Sequence, residues 1–212
     1  MLYRLYGERG SGAGIIEVAL IAIGAKYEFR EVSLAANAQR SEEYARVNPQ
    51  RKLPTLITPE GETLTESAAI LLTLDERYRS ARLFPEPRTP ERAQSIRWLS
   101  FLATEIYPIV EINDYPERFA PPGSDPEPVR EQARRIWRER WLLLEGQIAG
   151  NPWLLRWGFC FTDVYLASLS RWAHQDQWRP ANIPRVEELA RAVAARPVIG
   201  HVWRRHFDRN AA

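Results

Sequence analysis

The sequence predicts an α+β protein in which a small mixed sheet with its helices precedes a bundle made of helices alone. Residues 1–78 mix short strand-like runs with helical ones, whereas apolar residues recur at helical intervals in the rest of the chain. The change falls at a proline-rich segment, Leu83-Phe-Pro-Glu-Pro-Arg-Thr-Pro90, whose composition is typical of a linker. We therefore expect a first domain at residues 1–79, a linker at 80–90 and an all-helical domain at 91–212.

The first four predicted elements alternate between strand and helix. Leu2 to Tyr6 is strand-like, and Ile15 to Ile23 carries apolar residues at helical spacing. Tyr27 to Val32 alternates apolar and charged residues, as a half-buried strand does. Ser41 is a suitable N-cap for a short helix, which has to end before Pro49.

A hairpin and one more helix complete the first domain. Leu53 to Ile57 and Glu62 to Leu64 flank Thr58-Pro-Glu-Gly61, whose proline and glycine suit a turn between strands. A helix is then predicted from about Glu66 to Tyr78. The resulting order, β-α-β-α-β-β-α, fits a small mixed sheet with helices on its faces.

Helical periodicity in the second domain predicts helices at Pro90 to Ile112, Val129 to Ile148 and Thr162 to Trp172. The segment from Tyr115 to Pro128 has too many prolines for a helix, so we expect a loop there that borders a pocket.

Charge and composition exclude several classes of function. The formal net charge of the 212-residue chain is only +2 and no block of like charges occurs, so neither a nucleic acid nor an anionic membrane surface is expected as a partner. No apolar run is long enough to span a membrane, and we expect a cytoplasmic protein. A single cysteine, Cys160, and histidines without zinc-motif spacing argue against a disulfide and a metal site. The expected partner is a small molecule.

Gly10, Gly12 and Gly14 lie between the first strand and the first helix. A dinucleotide-binding loop needs a glycine at the position of Ile15, and a Walker-type phosphate loop needs Gly-Lys-Ser/Thr; the sequence has neither. We interpret the glycines as a tight turn. Ser11, together with the backbone N–H groups of a helix start, is suited to donate a hydrogen bond to an anion.

Two segments, Asn48-Pro-Gln-Arg-Lys-Leu-Pro54 and Leu64-Thr-Glu-Ser-Ala-Ala-Ile70, resemble the pattern of the cytosolic glutathione S-transferases. The resemblance covers nearly the whole chain. It implies a thioredoxin-like N-terminal domain, a helical C-terminal domain and glutathione as a co-substrate, without a metal. It also implies an enzyme that activates the glutathione thiolate for attack on a small hydrophobic electrophile.

The resemblance further implies that Pro54 follows a cis peptide bond and that Leu53 presents its backbone to the cysteinyl part of glutathione. The alternative is that Pro54 merely begins an edge strand. Glu66 and Ser67 match the γ-glutamyl site, where Ser67 and a helix N-terminus hold the carboxylate and Glu66 holds the ammonium. The alternative there is a plain helix cap formed by Thr65.

Thr104 and Glu105 match a pair that, in bacterial beta-type enzymes, reaches glutathione in the neighbouring subunit, so the resemblance implies a homodimer. The alternative is that Glu105 is an ordinary solvated charge. Tyr107 occupies a position where related enzymes place a residue that faces the second substrate.

The sequence departs from the family pattern at the positions whose side chains usually stabilise the thiolate. The beta-type cysteine position falls on Gly12 and the next, often a serine, falls on Ala13, and neither has a donor side chain. Ser11 is our first candidate for this role and Tyr6, at the end of the first strand, is the second; ring packing is the alternative role of Tyr6. A binding or scaffold protein that has lost the chemistry is a competing hypothesis, and a glutathione-dependent isomerase, peroxidase or reductase stays open.

Overall fold

The computed structural model of the protein describes residues 2–173 and 177–207. The chain divides into two compact units: Met1–Phe84 joins Val193–Ala212 in the first, and Pro85–Ala192 forms the second. The C-terminal segment therefore belongs to the unit that holds the sheet. The domain limits drawn from the sequence stay a prediction.

One mixed sheet lies in the first unit. Its strands are β1 (Tyr3–Gly7), β2 (Tyr27–Glu31), β3 (Thr55–Ile57) and β4 (Thr63–Leu64). Their order in the sheet is β2-β1-β3-β4; β1 is parallel to β2 and antiparallel to β3, and β3 is antiparallel to β4.

The helices of the described residues are α1 (Ala13–Ala22), α2 (Glu42–Val47), α3 (Ser67–Arg77), α4 (Pro90–Phe101), α5 (Tyr107–Asp114), α6 (Glu127–Glu145), α7 (Phe161–Ser170), α8 (Trp178–Asn182), α9 (Pro184–Ala194) and α10 (Gly200–Phe207). Within Met1–Phe84 the first unit runs β-α-β-α-β-β-α as predicted and has the thioredoxin-like sheet that the resemblance implied, and α10 adds a further helix to it. The second unit is built of helices. The predicted fold class is confirmed.

Helix α1 lies at the centre of the first unit. It packs against β1, α3 and α10, and all its residues from Ala13 to Leu20 are buried. A helix that is apolar on nearly every side needs such cover. Glu17 is the one charged residue among these buried positions, and its side chain is only 2% exposed.

Helix α2 has the start and the end that the sequence predicted. The Ser41 hydroxyl accepts a hydrogen bond from the Tyr44 N–H at 3.1 Å, so it is the N-cap. The helix ends at Val47, one residue before Asn48-Pro49, because a residue that precedes proline disfavours helical backbone angles.

The helix predicted over Pro90 to Ile112 consists of α4, a π-helical turn at Leu102–Ile106, and α5. Pro108 gives a physical reason for the wider turn, since it has no N–H to donate to the carbonyl of Thr104, four residues earlier.

Helices α6 and α7 supply much of the core of the second unit. The buried residues of α6 form one stripe at helical spacing, and they are Ala133, Trp137, Trp141 and Leu144. Helix α7 is buried along its whole length. Its start is held by the Asp163 carboxylate, which accepts hydrogen bonds from the N–H groups of Cys160 at 2.8 Å and Leu154 at 2.9 Å. No helix within residues 2–173 and 177–207 is long and apolar enough to cross a membrane.

Candidate functional site

Three predicted glutathione-binding segments meet at one end of the sheet. Tyr6, near the carboxyl end of β1, pairs with Thr55 at the amino end of β3, so the loop after β1 and the residues before β3 lie at the same end. β4 is antiparallel to β3 and pairs Leu64 with Leu56. The chain therefore leaves β4 toward this same end, where Glu66-Ser67 follow.

The loop between β1 and α1 is closed by the Ser11 side chain. The Ser11 hydroxyl donates to the Glu8 carbonyl at 2.7 Å and accepts from the N–H groups of Glu8 and Ala13, each at 3.2 Å. Serine commonly stabilises turns and helix starts in this way. The hydroxyl hydrogen of Ser11 thus has an acceptor already, and it has to turn away from Glu8 before it can be donated to a thiolate.

Tyr6 lies on the opposite face of the sheet from α1. Side chains alternate along a strand, and Leu5 and Gly7 are buried on the face where Ala13 closely approaches Gly7. The half-buried Tyr6 ring instead packs against the ring of Tyr44 in α2, with 6.0 Å between the centroids. Tyr6 therefore packs its ring against a neighbour, which is the alternative that the sequence analysis gave to a catalytic role.

The Leu53–Pro54 peptide bond is cis, as the resemblance implied. The turn before it is braced by two buried side chains absent from the sequence-based site: the Asn48 amide and the Tyr44 hydroxyl each donate to the Lys52 carbonyl at 2.9 Å. Asn48 begins the motif that carried the resemblance, so a signal for this brace was present in the sequence. Because β3 lies between β1 and β4, the edge-strand alternative for Pro54 does not hold.

Helix α3 begins at Ser67, and Glu66 occupies the N-cap position without a capping hydrogen bond from its side chain. Thr65 is therefore not the cap that the alternative required. Glu66 has φ 60° and ψ 102°, a conformation that non-glycine residues rarely adopt and that costs about 1–3 kcal/mol. Strain of this kind is concentrated at ligand sites. Here it accompanies a buried serine at the start of a helix.

The other predicted site residues lie in the second unit. Thr104 and Glu105 are exposed in the π-helical turn, where the Thr104 hydroxyl donates to a carbonyl one turn earlier. Glu105 forms an ion pair with Arg140 at 3.0 Å, so it is not merely solvated, although exposed pairs contribute little to stability. The Tyr107 ring packs against Trp172, with 4.9 Å between centroids.

Glu17 is the buried centre of a polar cluster that sequence reasoning missed. Its carboxylate lies 2.6 Å from Nε2 of His206, accepts a hydrogen bond from the Tyr27 hydroxyl at 2.6 Å, and pairs with the Arg205 guanidinium. His206 also accepts a hydrogen bond from the Gly10 N–H at 3.2 Å. The only local signal was an acidic residue in an apolar helix, because His206 is 189 residues away.

The cluster changes the acidity of its members. Burial by itself raises the pKa of Glu17, but hydrogen bonds from His206, Tyr27 and Arg205 outweigh burial, and the pKa lies below its ordinary value. Burial, together with the hydrogen bond to the Glu17 carboxylate, raises the pKa of Tyr27 to about 12. Glu17 is therefore ionised at neutral pH and Tyr27 is a neutral donor.

The Cys160 thiol is not ionised at neutral pH, so it is not a nucleophile itself. Burial, followed by the nearby charge of Asp163, raises the pKa of its thiol to about 11. Among the residues that the structure describes, no three histidine, cysteine or acidic side chains are grouped so that they could hold a metal ion.

Known proteins show which family this arrangement belongs to. The family model described as "Glutathione S-transferase, N-terminal domain" matches residues 1–76. The GST-like protein YncG of Escherichia coli (strain K12) is 30% identical over 207 residues, which cover 97% of this chain and 98% of YncG. The chain belongs to the glutathione S-transferase family. The resemblance drawn from its two motifs is confirmed.

Two further proteins to which the chain is similar carry the name of an activity or of a bound ligand. A maleylacetoacetate isomerase of Pseudomonas aeruginosa is 29% identical over 212 residues, which cover 92% of each chain. A sphingomonad glutathione S-transferase solved in complex with glutathione is 28% identical, with a TM-score of 0.78, and the match covers 95% of this chain and 97% of that one.

In this glutathione S-transferase family member, we expect Glu17 to make stability depend on pH in acid. Its pKa in the folded chain lies below the ordinary value of 4.5, so ionised Glu17 stabilises the fold fully above pH 4.5. This contribution is lost as the pH falls through the folded-state pKa. Urea unfolding of the wild type and Glu17→Gln, from neutral pH into acid, should show a stability difference that shrinks as the pH falls. A difference that stays constant or grows would contradict this assignment.

Proposed function

We propose that this protein binds glutathione at the end of the sheet where the β1–α1 loop, Leu53-Pro54 and Glu66-Ser67 meet, and that it activates the glutathione thiolate for attack on a small hydrophobic electrophile. Family membership supports the use of glutathione. The strained Glu66 beside the start of α3 is the observation in this chain that carries the proposal, since nothing in the packing of an ordinary helix start requires such a conformation.

Each charged end of glutathione has a complementary group in the proposed site. The γ-glutamyl carboxylate would accept hydrogen bonds from Ser67 and from the first N–H groups of α3, where the helix dipole favours an anion. The neighbouring ammonium would pair with Glu66. The cysteinyl part, in an extended conformation, would pair with the backbone of Leu53 before the cis Pro54, in the way that an added strand does. This arrangement would direct the glutathione sulfur toward the start of α1.

Replacing Glu66 and Ser67 together by alanine should weaken glutathione binding by about 100-fold, because two hydrogen bonds to charged groups contribute about 3 kcal/mol. Calorimetric titration with glutathione measures this loss. Glu76→Ala with Ser80→Ala is the matched control, since both residues are exposed and lie near the other end of α3. Equal affinity in the wild type and the Glu66/Ser67 variant would place glutathione elsewhere.

The proposed reaction requires a bound thiol that ionises more readily than in water, where its pKa is about 8.5. Ser11 is our first candidate for the stabilising donor and Tyr6 the second. Ultraviolet difference absorbance of bound glutathione, followed through a pH titration, gives this pKa for the wild type, Ser11→Ala and Tyr6→Phe. We expect a lowered pKa in the wild type that returns toward 8.5 in Ser11→Ala only, with glutathione affinity measured as the check on folding.

Two other results of that titration have distinct meanings. A lowered pKa that survives in both variants would assign the role to the N–H groups at the start of α1. A wild-type protein that binds glutathione with an ordinary thiol pKa would favour the second candidate function, a non-catalytic binding or scaffold protein. The engagement of the Ser11 hydroxyl by Glu8 and the absence of donor side chains at Gly12 and Ala13 support this second candidate.

A glutathione-dependent isomerase is an alternative within the enzyme class. It is favoured by the likeness over nearly the whole chain to the maleylacetoacetate isomerase of Pseudomonas aeruginosa. Both activities need the same glutathione thiolate, and they differ in whether the thiolate leaves again with the substrate rearranged. Peroxidase and reductase activities are further alternatives that would use the same bound thiolate.

We further propose a homodimer in which Thr104 and Glu105 reach the glutathione bound to the partner subunit and Tyr107 faces the electrophile. Light scattering should give a mass of two chains, about 49 kDa for a chain of 24.5 kDa. Glu105→Ala should weaken glutathione binding a few-fold without changing this mass. Glu139→Ala is its control, because Glu139 forms a comparable exposed ion pair with Arg135. A mass of one chain would overturn this part of the proposal.

A further inference from the structure

The C-terminal helix α10 contacts the glycine loop through two consecutive residues of the same unit. The Arg205 carbonyl accepts a hydrogen bond from the Arg9 guanidinium, and Nδ1 of His206 accepts one from the Gly10 N–H at 3.2 Å. Both loop residues immediately precede Ser11 and the start of α1. Helix α10 is thus attached to the loop on which the proposed thiolate donor lies.

The His206 ring is held in one orientation and one tautomer. A backbone N–H can only donate, so Nδ1 must be unprotonated to accept from Gly10. The ring proton is therefore on Nε2, which lies 2.6 Å from the ionised Glu17 carboxylate. The His206 side chain is 2% exposed, and water does not compete for either bond.

Two glycines lie beside this contact, Gly10 in the loop and Gly14 in the first turn of α1. Gly10 has φ +80°, the left-handed region that glycine occupies without strain. A Cβ on Gly14 would lie 2.8 Å from Cγ of His206 and 2.9 Å from its Nδ1, closer than packed side chains allow. The requirement for glycine at position 14 therefore comes from the close approach of a histidine that is distant in sequence.

We propose that His206 is a positioning residue of the glutathione site, which fixes the Gly10 N–H and hence the backbone of the loop that carries Ser11 to the start of α1. Glu17 sets its tautomer. This inference rests on the proposed function, because it assigns to His206 an effect on glutathione. Its contact with Gly10 is independent of that function.

Two substitutions of His206 separate the effects of the contacts that its two ring nitrogens make. His206→Asn keeps an acceptor near the Nδ1 position and loses the group that reaches Glu17. His206→Gln keeps a donor near the Nε2 position and loses the acceptor for Gly10. The measurements are the hydrogen-exchange rate of the Gly10 amide by NMR, the free energy of unfolding in urea, and calorimetric affinity for glutathione.

If His206 positions the site, the two variants should differ in which measurements they change. In His206→Gln the Gly10 amide should exchange at least about tenfold faster, and glutathione affinity should fall about three- to tenfold, as expected for one lost hydrogen bond. In His206→Asn both quantities should recover toward the wild type, although the protein is less stable because Glu17 has lost a partner. A merely structural histidine would instead make affinity follow stability.

Several outcomes would overturn the inference. Unchanged Gly10 exchange in His206→Gln would remove the contact itself. Faster exchange with unchanged glutathione affinity would show that the contact does not position the site. If the wild type binds no glutathione, the proposed function fails and the positioning role fails with it, whereas the exchange rates still report on the contact between His206 and Gly10.

Discussion

The antiparallel pairing of β1 with β3 is the constraint on which the candidate site depends. Because Tyr6 pairs with Thr55, the loop after one strand and the cis-proline turn before the other lie side by side. The Thr55 hydroxyl also receives a hydrogen bond from the Asn48 amide at 3.1 Å and lies 2.9 Å from the Tyr44 hydroxyl. A shift of one residue in this register would turn Thr55 to the other face of the sheet and remove these contacts. The sheet therefore fixes the turn through side chains as well as through its ladder.

Backbone groups make up much of the proposed site. The start of α3 offers N–H groups whose direction is set by the fold, and these groups do not depend on which side chains occupy Gly12 or Ala13. The proposed recognition of an extended peptide would therefore not need a side-chain donor at these positions. The proposed stabilisation of the thiolate would then depend on Ser11, whose hydroxyl hydrogen is donated to the Glu8 carbonyl. The same hydrogen cannot serve the turn and a thiolate at once.

Local patterns in the sequence predicted most of the fold. Strand alternation, helical periodicity, the Ser41 cap and the prolines at residues 49 and 54 depend on neighbours within a few residues. The predicted strands and helices of Met1–Phe84 occur in the order that these patterns gave, whereas α10 of the same unit was not predicted. The interruption between α4 and α5 was also encoded locally, by Pro108, but apolar periodicity continues across it. A wider turn changes the helix without changing which residues are apolar.

Contacts between distant segments could not be predicted in this way. Glu17, Gly10 and His206 form one group, yet nothing in the residues around His206 indicates a buried partner. Two arginines, Arg204 and Arg205, come directly before it in α10. The isolated acid in α1 indicated that a partner exists somewhere, because buried carboxylates are almost always paired. Only the three-dimensional structure identifies that partner.

The burial of Cys160 has a consequence for studies of the ligand. This residue is the chain's only cysteine, and it is buried beneath Ser95 and the start of α7. A folded sample therefore presents no protein thiol to a water-soluble alkylating reagent or to a disulfide dye. Any rapidly reacting sulfur in such a sample belongs to a bound or free small molecule, so the protein itself adds no rapid thiol reaction to assays of the sulfur chemistry that it is proposed to carry out.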